Sequence, residues 1–420
     1  MHIRGPFIQG AGVGIVGVLA LSACGGEAGG DGEEQVELRY AFWGSDTRVQ
    51  ANEAMIEEFN EEHPHIQIDI EYADWDGYWD QLNTQIAADD APDIIAMDAP
   101  YLRQYAEQGS LLDLSDVDLA EIPEELVDSG TVDGGYYGLA VGVNAVAVVA
   151  NPRVFEEAGV DWPDDATWTW EDFEEAAQQI SGSSEGVYGV SGPAEPQFFQ
   201  AWLRQQGMFF NEEDGSLGFG AEDLQEYLEW VDGMRADGVF PPAEVIVEEQ
   251  SVSQDQSLEA TGGSGMAFAW TNLLRALTEA GGEELELLRL PSPTGSAEDA
   301  QQWYNTGMIS ASGQTEHPEE VVTFLDFLAN SEESALIQGI TANTAVLESV
   351  QEDLDPADAE ATEFVLEVED ELGEPEPAPA TGFGEAAAVL DRYQEEVFFE
   401  RMSYEDAAEQ AFTELEELIG

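Results

Sequence analysis

Lysine is absent from this chain. All eleven basic residues among its 420 positions are arginines, and 90 aspartates and glutamates oppose them, for a formal charge of −79. Lysine is ordinarily among the commonest residues. A surface of this sign repels phosphates and anionic headgroups, which excludes nucleic acid and charge-driven adsorption on membranes. The acids are spread along the whole length rather than gathered in a tail, so they do not describe a disordered acidic arm. They describe a folded protein in concentrated salt, where the screening length shrinks to about 3 Å at 1 M. An ordinary acidic secreted protein is the alternative; the missing lysine favours salt adaptation.

Cysteine occurs once, at Cys24. That excludes an internal disulfide, a thiolate metal cluster and thiol catalysis. The four histidines, His2, His63, His65 and His317, lack metal-ligand spacing. There is no glycine-rich phosphate loop and no Ser-His-Asp order. Asp74-Trp75-Asp76-Gly77 opens like a calcium loop, but the later ligands are missing. No cofactor and no metal are expected.

Long apolar runs are also missing, apart from the N-terminus. Arg4 supplies a positive n-region, 10–20 a short apolar stretch broken by glycines, and Leu21-Ser22-Ala23-Cys24 a set of small residues before a thiol. This reads as an export signal, 1–23, ending in a lipobox, with Cys24 acylated as a membrane anchor. A plain signal peptide that happens to contain a cysteine is the alternative. Residues 24–35 carry no apolar side chain larger than alanine after Cys24 and read as a solvated tether.

From Val36 onward the chain is patterned. Val36, Leu38, Tyr40 and Phe42 alternate as a strand. Val49, Met55, Ile56 and Phe59 keep helical spacing. Ile66, Ile68 and Ile70 alternate with polar residues. Tyr78, Leu82 and Ile86 mark a second helix, 94–97 a buried strand and 101–108 a third helix stopped by Gly109. This β-α order predicts a parallel, doubly wound sheet. Such sheets bind ligands at the carboxyl ends of their strands, where 43–46 and 98–100 both fall. A fourth strand is expected over 137–150. Thr169 with Asp172, and Ser403 with Asp406, are spaced as helix caps. Residues 221–236 read as a helix, and 374–379 (EPEPAP) as a stiff linker.

Several segments together resemble the extracellular solute-binding proteins of family 1, the sugar-binding components of ABC importers. They are 38–44 (LRYAFWG), 78–93 (YWDQLNTQIAADDAPD), 134–151 (GGYYGLAVGVNAVAVVAN), 155–177 with its Trp-Thr-Trp, 265–273 (GMAFAWTNL) and 317–330 (HPEEVVTFLDFLAN). The resemblance implies an α/β fold of the type II periplasmic-binding-protein kind: two lobes, each a mainly parallel sheet flanked by helices, with a hinge crossed more than once. Lobe I is expected from 36–145 with 304–332, and lobe II from 146–303 with 333–420. It also implies a monomer outside the cell membrane that captures a sugar or oligosaccharide in the interlobe cleft and hands it to ABC permease subunits, without catalysis. A secreted glycosidase, a receptor domain for a membrane sensor, or the same fold binding a polyol or other small neutral solute are the rival readings.

A sugar site stacks C–H faces on aromatic rings and meets hydroxyls with carboxylates, amides and arginine. Trp43 and Ser45 come just after the first strand; a tryptophan packed over the sheet is the alternative. Asp98 and Tyr101 come after the third, where Asp98 could equally cap a helix. Asn144 lies on the crossing strand and matches the family's Gly-x-Asn, or serves a structural hydrogen bond. The resemblance places Trp270 at the sugar, with Asn272 beside it. Trp303 stands in a second polar-aromatic cluster with Tyr304 and Asn305. Asn343 falls at a turn where the family often has proline, which this chain lacks. Trp168, Trp170 and Trp230 read as core, Trp75 and Trp79 as cover for the first lobe, and Trp202 as core or a cleft wall.

Overall fold

Most of the alternating apolar positions of the first third bury as the pattern predicts, but Ile70 is only half-buried and Tyr72, which closes the alternation begun at Ile66, is exposed. In the computed structural model, residues 35–419 are described, apart from 45, 213–214, 251, 254–255, 374–378 and 381. The export signal, the tether and the Pro-rich linker's core therefore lie outside the described residues.

Strands β1 (Val36–Trp43), β2 (Ile66–Ala73) and β3 (Ile94–Met97) alternate with helices α1 (Asp46–Glu62), α2 (Trp75–Ala87) and α3 (Ala99–Glu107). Leu38, Tyr40 and Phe42 are buried, while Glu37 is exposed, as a period of two requires. A small hairpin, β4 (Thr131–Val132) with β5 (Gly135–Tyr136), leads to β6 (Leu139–Ala140). The chain then enters a second sheet through β7 (Asn144–Ala150), continued by β8 (Tyr188–Val190), β9 (Ser264–Trp270), β10 (Glu286–Leu288) and β11 (Tyr304–Asn305). It returns to the first sheet as β12 (Met308–Ala311). The expected fourth strand over 137–150 is thus two strands in two sheets, separated by 141–143. An unbroken apolar run does not reveal where a chain changes sheets.

The first sheet has the order β2-β1-β3-β12-β6 and the second β10-β7-β9-β8, with β11 on the edge of β7. Pairing is parallel for β1 with β2 and β3, and for β8 with β9. It is antiparallel wherever β12 or β7 takes part. Each sheet therefore carries one reversed strand among strands that otherwise share a direction. Those reversed strands are the ones that begin at a crossing.

Each sheet has its own core. Met55 and Phe59 of α1, Tyr78 and Leu82 of α2, and Phe324 and Leu325 of the helix Pro318–Asn330 cover the first. In β7, Val146, Val148 and Ala150 face a large core built with Phe198, Phe199 and Tyr227. Ala145, Ala147 and Val149 face a smaller one with Leu274 and Phe364. Burial on both sides explains why β7 reads as a continuous apolar run.

The crossings lie side by side. Val141 N–H donates to Gly307 O at 3.0 Å, and Thr306 Oγ1 donates to Gly142 O at 2.6 Å. A Cβ on Gly142 would stand 2.0 Å from Ile340 Cγ1, so only glycine fits there. Two details differ from the expected boundaries. Tyr304 and Asn305 pair with β7 and belong to the second sheet. The helices Glu332–Gln338 and Thr344–Val350, expected in the second lobe, pack on α1 and on each other, and Ala342 joins the first core. A helix's sequence shows that it has an apolar face, not which neighbour covers it.

Candidate functional site

The carboxyl edge of the first sheet gathers aromatic side chains. Trp43, the last residue of β1, has Trp75 4.9 Å away edge-on, Tyr78 at 5.4 Å and Trp79 at 5.7 Å. Trp79 in turn stacks on Tyr101 at 3.7 Å and 20°. Trp79 and Tyr101 are buried, Trp43 is half-buried and Trp75 is 37% exposed. Arg48, in the first turns of α1, lays its guanidinium 4.8 Å from the Trp43 ring, within cation–π reach. It also stands near the buried Tyr40 hydroxyl, opposing part of the rise that burial gives that group's pKa.

Asp98 lies just past β3 on the same edge. Its Oδ1 accepts from Ala99 N–H at 2.9 Å, capping α3. Asn305, a residue of the second sheet, lies close enough to the carboxylate to favour its charged form. Asp98 keeps some accessible area, yet protein atoms surround its carboxylate as they would in a narrow crevice. That crowding, not residual area, sets the cost of charging it. Burial pushes its pKa up to about 6, against the bond from Ala99, the nearby Asn305 amide and the Arg48 charge.

Asn305 pairs across the strands with Asn144, which is only 6% exposed. The Asn144 Oδ1 has no hydrogen-bond partner among the described residues. A buried acceptor left unpaired costs about 1–3 kcal/mol. Two residues along β7, Val146 pairs with Trp270, the last residue of β9. The Trp270 ring meets Trp303 edge-on at 6.2 Å, and the Arg204 guanidinium stands 5.2 Å from the Trp303 ring.

The fold thus brings Trp43, Asp98 and Tyr101 together on one sheet and links them, through Asn305, to Asn144 on the other. Trp270 and Trp303 form a second aromatic pair near the start of β7. Asn343 stands apart. It caps the helix Thr344–Val350 by accepting from Val346 N–H at 3.0 Å, and it donates to Asn330 Oδ1 at 2.8 Å. Asn272 is exposed on the short turn Thr271–Leu273. Tyr304 donates its hydroxyl to Val365 O, away from this seam. Ser45 and Cys24 lie outside the described residues. Arg48 was not foreseen at this edge, and Asn305 was foreseen as part of a polar-aromatic cluster with Trp303 and Tyr304. Arg48 stands five residues after Trp43, where the first turn of a helix behind a ligand-edge strand should fall; that position was its only signal.

Among the described residues no group of three or more His, Cys, Asp or Glu could hold a metal ion, and no helix is long and apolar enough to cross a membrane. The seam offers hydrogen-bond donors, one carboxylate, an orphaned amide oxygen and ring faces. Such a set holds a polar ligand with apolar faces in place.

Residues 54–363 match the family described as bacterial extracellular solute-binding protein. An uncharacterized lipoprotein from the oleD 5′ region of Streptomyces antibioticus is 26% identical over 333 residues, 74% of this chain and 70% of that one. The diacetylchitobiose-binding protein DasA of Streptomyces coelicolor is 28% identical over 161 residues, 36% of this chain and 38% of its own. Among solved structures, an ABC substrate-binding protein of Listeria monocytogenes in complex with cycloalternan superposes with a TM-score of 0.79. It shares 22% identity and covers 91% of this chain and 99% of its own. A periplasmic oligogalacturonide-binding protein of Yersinia enterocolitica with saturated digalacturonic acid gives 0.82 at 19% identity, with 92% and 99% covered.

Proposed function

The chain belongs to the bacterial extracellular solute-binding proteins, and on that footing we propose that it captures a sugar or oligosaccharide at the seam between its sheets and delivers it to an ABC importer. The two sheets are joined by the crossing segments and by contacts such as Asp98 with Asn305. Ligand that bridges the same edges would hold the lobes closed, and the closed surface is what the permease would recognise. No bond in the ligand need be made or broken. We further place the protein as a monomer on the extracytoplasmic face, tethered by an acyl chain on Cys24, in keeping with the lipoprotein relative.

The observation that carries the sugar reading is the orphaned Asn144 oxygen beside Asn305 and Asp98. A hydroxyl donates and accepts at once, so a sugar could supply the missing donor to Asn144 while meeting a carboxylate. The flanking rings would take its C–H faces.

Calorimetry of the mature domain in molar NaCl, against mono- and oligosaccharides, tests this. Asn144→Ala should leave the ligand-free protein at least as stable, because it removes an unpaired acceptor. It should weaken the bound sugar by about tenfold or more, the worth of one such bond. A variant that is destabilised yet binds unchanged would make Asn144 a structural residue. Cleavage of any panel member would replace binding with hydrolysis.

A further inference from the structure

The chain changes lobe a third time, and a buried carboxylate stands at that joint. The helices Glu332–Gln338 and Thr344–Val350 go with the first lobe, whereas the next helix, Pro356–Val368, sets Phe364 and Val368 into a core of the second sheet with Ala145, Val149 and Leu274. The link 351–355 therefore crosses between lobes. Across this joint Gly339, which ends the helix Glu332–Gln338 with a left-handed φ of +70°, meets the Asp358 carboxylate. A Cβ at Gly339 would overlap both carboxylate oxygens, so glycine alone lets the helix end and the carboxylate touch. Ile340, the next residue, rests against Gly142 of the first crossing. The contact is thus tied to the hinge.

Asp358 is 8% exposed. Its Oδ2 accepts from Arg275 Nη1 at 3.0 Å, but Arg275 also donates from Nε to Glu279 Oε1 at 3.1 Å. Asp355, three residues back, adds a like charge from Asp358's own end of the helix. The acids of the helix Glu332–Gln338, Glu332 and Glu333, lie in its first turn, away from Gly339. What that helix turns toward Asp358 is its carboxyl end. Carbonyls of a last turn lack intrahelical donors and carry partial negative charge. Gly339 N–H serves one of them, Ala335 O, at 2.8 Å. A carboxylate is badly placed against such an end, and a protonated carboxyl supplies a donor there. Burial pushes the Asp358 pKa up to about 6, with Arg275 opposing the rise and Asp355 and Glu279 adding to it.

We propose that Asp358 is a proton-operated latch between the two lobes. Charged, it is held by Arg275 on the second lobe and repels the carbonyl end of the helix Glu332–Gln338. Protonated from solvent, it releases Arg275 to Glu279 and donates its new O–H to a last-turn carbonyl, which holds the lobes as they stand in this structure. With the lobes apart the carboxyl is hydrated and titrates near its ordinary 3.8; with the lobes together it titrates at about 6. Between those values the joined arrangement keeps a proton that the parted one releases, so it gains as pH falls through this window. The latch needs no ligand and does not depend on the sugar reading.

X-ray scattering of the ligand-free protein in molar NaCl, from neutral pH down to the Asp358 window, tests this, with circular dichroism as the check on folding. The wild-type radius of gyration should fall as pH drops between about 6 and 3.8. Asp358→Asn, whose amide donates at every pH, should be compact throughout. Glu279 is exposed, so Glu279→Gln keeps the fold and carries the test if Asp358→Asn does not. That variant leaves Arg275 wholly to Asp358 and should move the transition down by about half a pH unit or more. Asp98, the carboxylate at the seam, titrates in the same range, and Asp98→Asn should keep the transition. A wild-type radius flat with pH, an Asp358→Asn variant with the wild-type transition, or a Glu279→Gln variant with an unmoved midpoint overturns the latch. A transition that vanishes in Asp98→Asn overturns it too.

Discussion

Replacing Glu195 with glutamine should make the protein more stable in mild alkali, and the structure sets the size of the effect. Glu195 Oε1 accepts from the Tyr227 hydroxyl and the Gln394 amide, and Oε2 accepts from Phe199 N–H at 3.3 Å. No arginine among the described residues neutralises it, and Asp391, whose own pKa burial pushes to about 7, adds repulsion. Burial raises Glu195 from its ordinary 4.5 to about 8, while the Tyr227, Gln394 and Phe199 bonds pull the other way. The folded state then keeps a proton that the unfolded state releases, so stability falls as pH rises. It is full below about pH 4.5 and lost by about pH 8. At about 1.4 kcal/mol per unit the ceiling is about 5 kcal/mol, and residual solvent access brings it to a few. That is a large share of the roughly 5–15 kcal/mol that holds a typical domain. Glutamine keeps an acceptor at the Oε1 position and gives up only the long bond from Phe199, much as the protonated acid does. Urea unfolding at fixed molar NaCl, with surface charges screened, should show a wild-type midpoint that drops across this window. Glu195→Gln should keep the part of the slope that Asp391 contributes below about pH 7, lose the fall between about pH 7 and pH 8, and cross above wild type there. A flat wild-type profile, or a variant with the wild-type slope, would refute the reasoning.

The net charge predicts that dilution from molar to decimolar NaCl, which lengthens screening from about 3 Å to about 10 Å, lowers the melting temperature and finally unfolds the chain. A melting temperature indifferent to NaCl would remove the salt-adapted reading. Gly384, anchored to the second core by Phe383, sits against α3, and a Cβ there would stand 2.2 Å from Tyr101 Cζ. Gly384→Leu should therefore hold the lobes apart, seen as a larger radius of gyration in X-ray scattering and weaker ligand binding. Tyr101→Ala should restore compactness in the double variant, and an unchanged radius in Gly384→Leu would show that the contact does not control closure.

The first sheet was legible because local rules governed it. Strict alternation in β1 and β2 and helical spacing in α1 and α2 depend on residues a few positions apart. The second lobe was legible mainly through resemblance, with the helix 221–236 and the Thr169–Asp172 cap read locally. Its strands are short or buried on both faces, and β7 looks the same whether it continues β6 or leaves it. Asn343 shows the same limit at one residue. An asparagine ahead of a helix caps it or meets a ligand, and only the distances to Val346 and Asn330 separate the two.

Asp98, Asn144 and Asn305 come together because the crossings bring distant segments side by side, which no spacing in the chain records. Arg48 was hidden for a different reason. In a chain with so many acids the default reading of any arginine is an ion pair on a solvated face, and only the rings of Phe42 and Trp43 beneath its guanidinium mark it out. Asn144 carries the strongest sign of the three segments, because its arrangement has a cost. An amide in an apolar strand is expected to find partners for both its ends, and the neighbouring strand supplies polar groups close by. Its oxygen nevertheless stays without one among the described residues. Holding a buried acceptor in that condition makes physical sense if the donor arrives from outside, and the groups that face the same seam say what kind of molecule brings it. A ligand that donated to Asn144 but offered no acceptor would leave the Asn305 amide without a partner from the ligand. On the proposed reading, a ligand bearing hydroxyls would serve both strands at once and so draw the two sheets together as it binds.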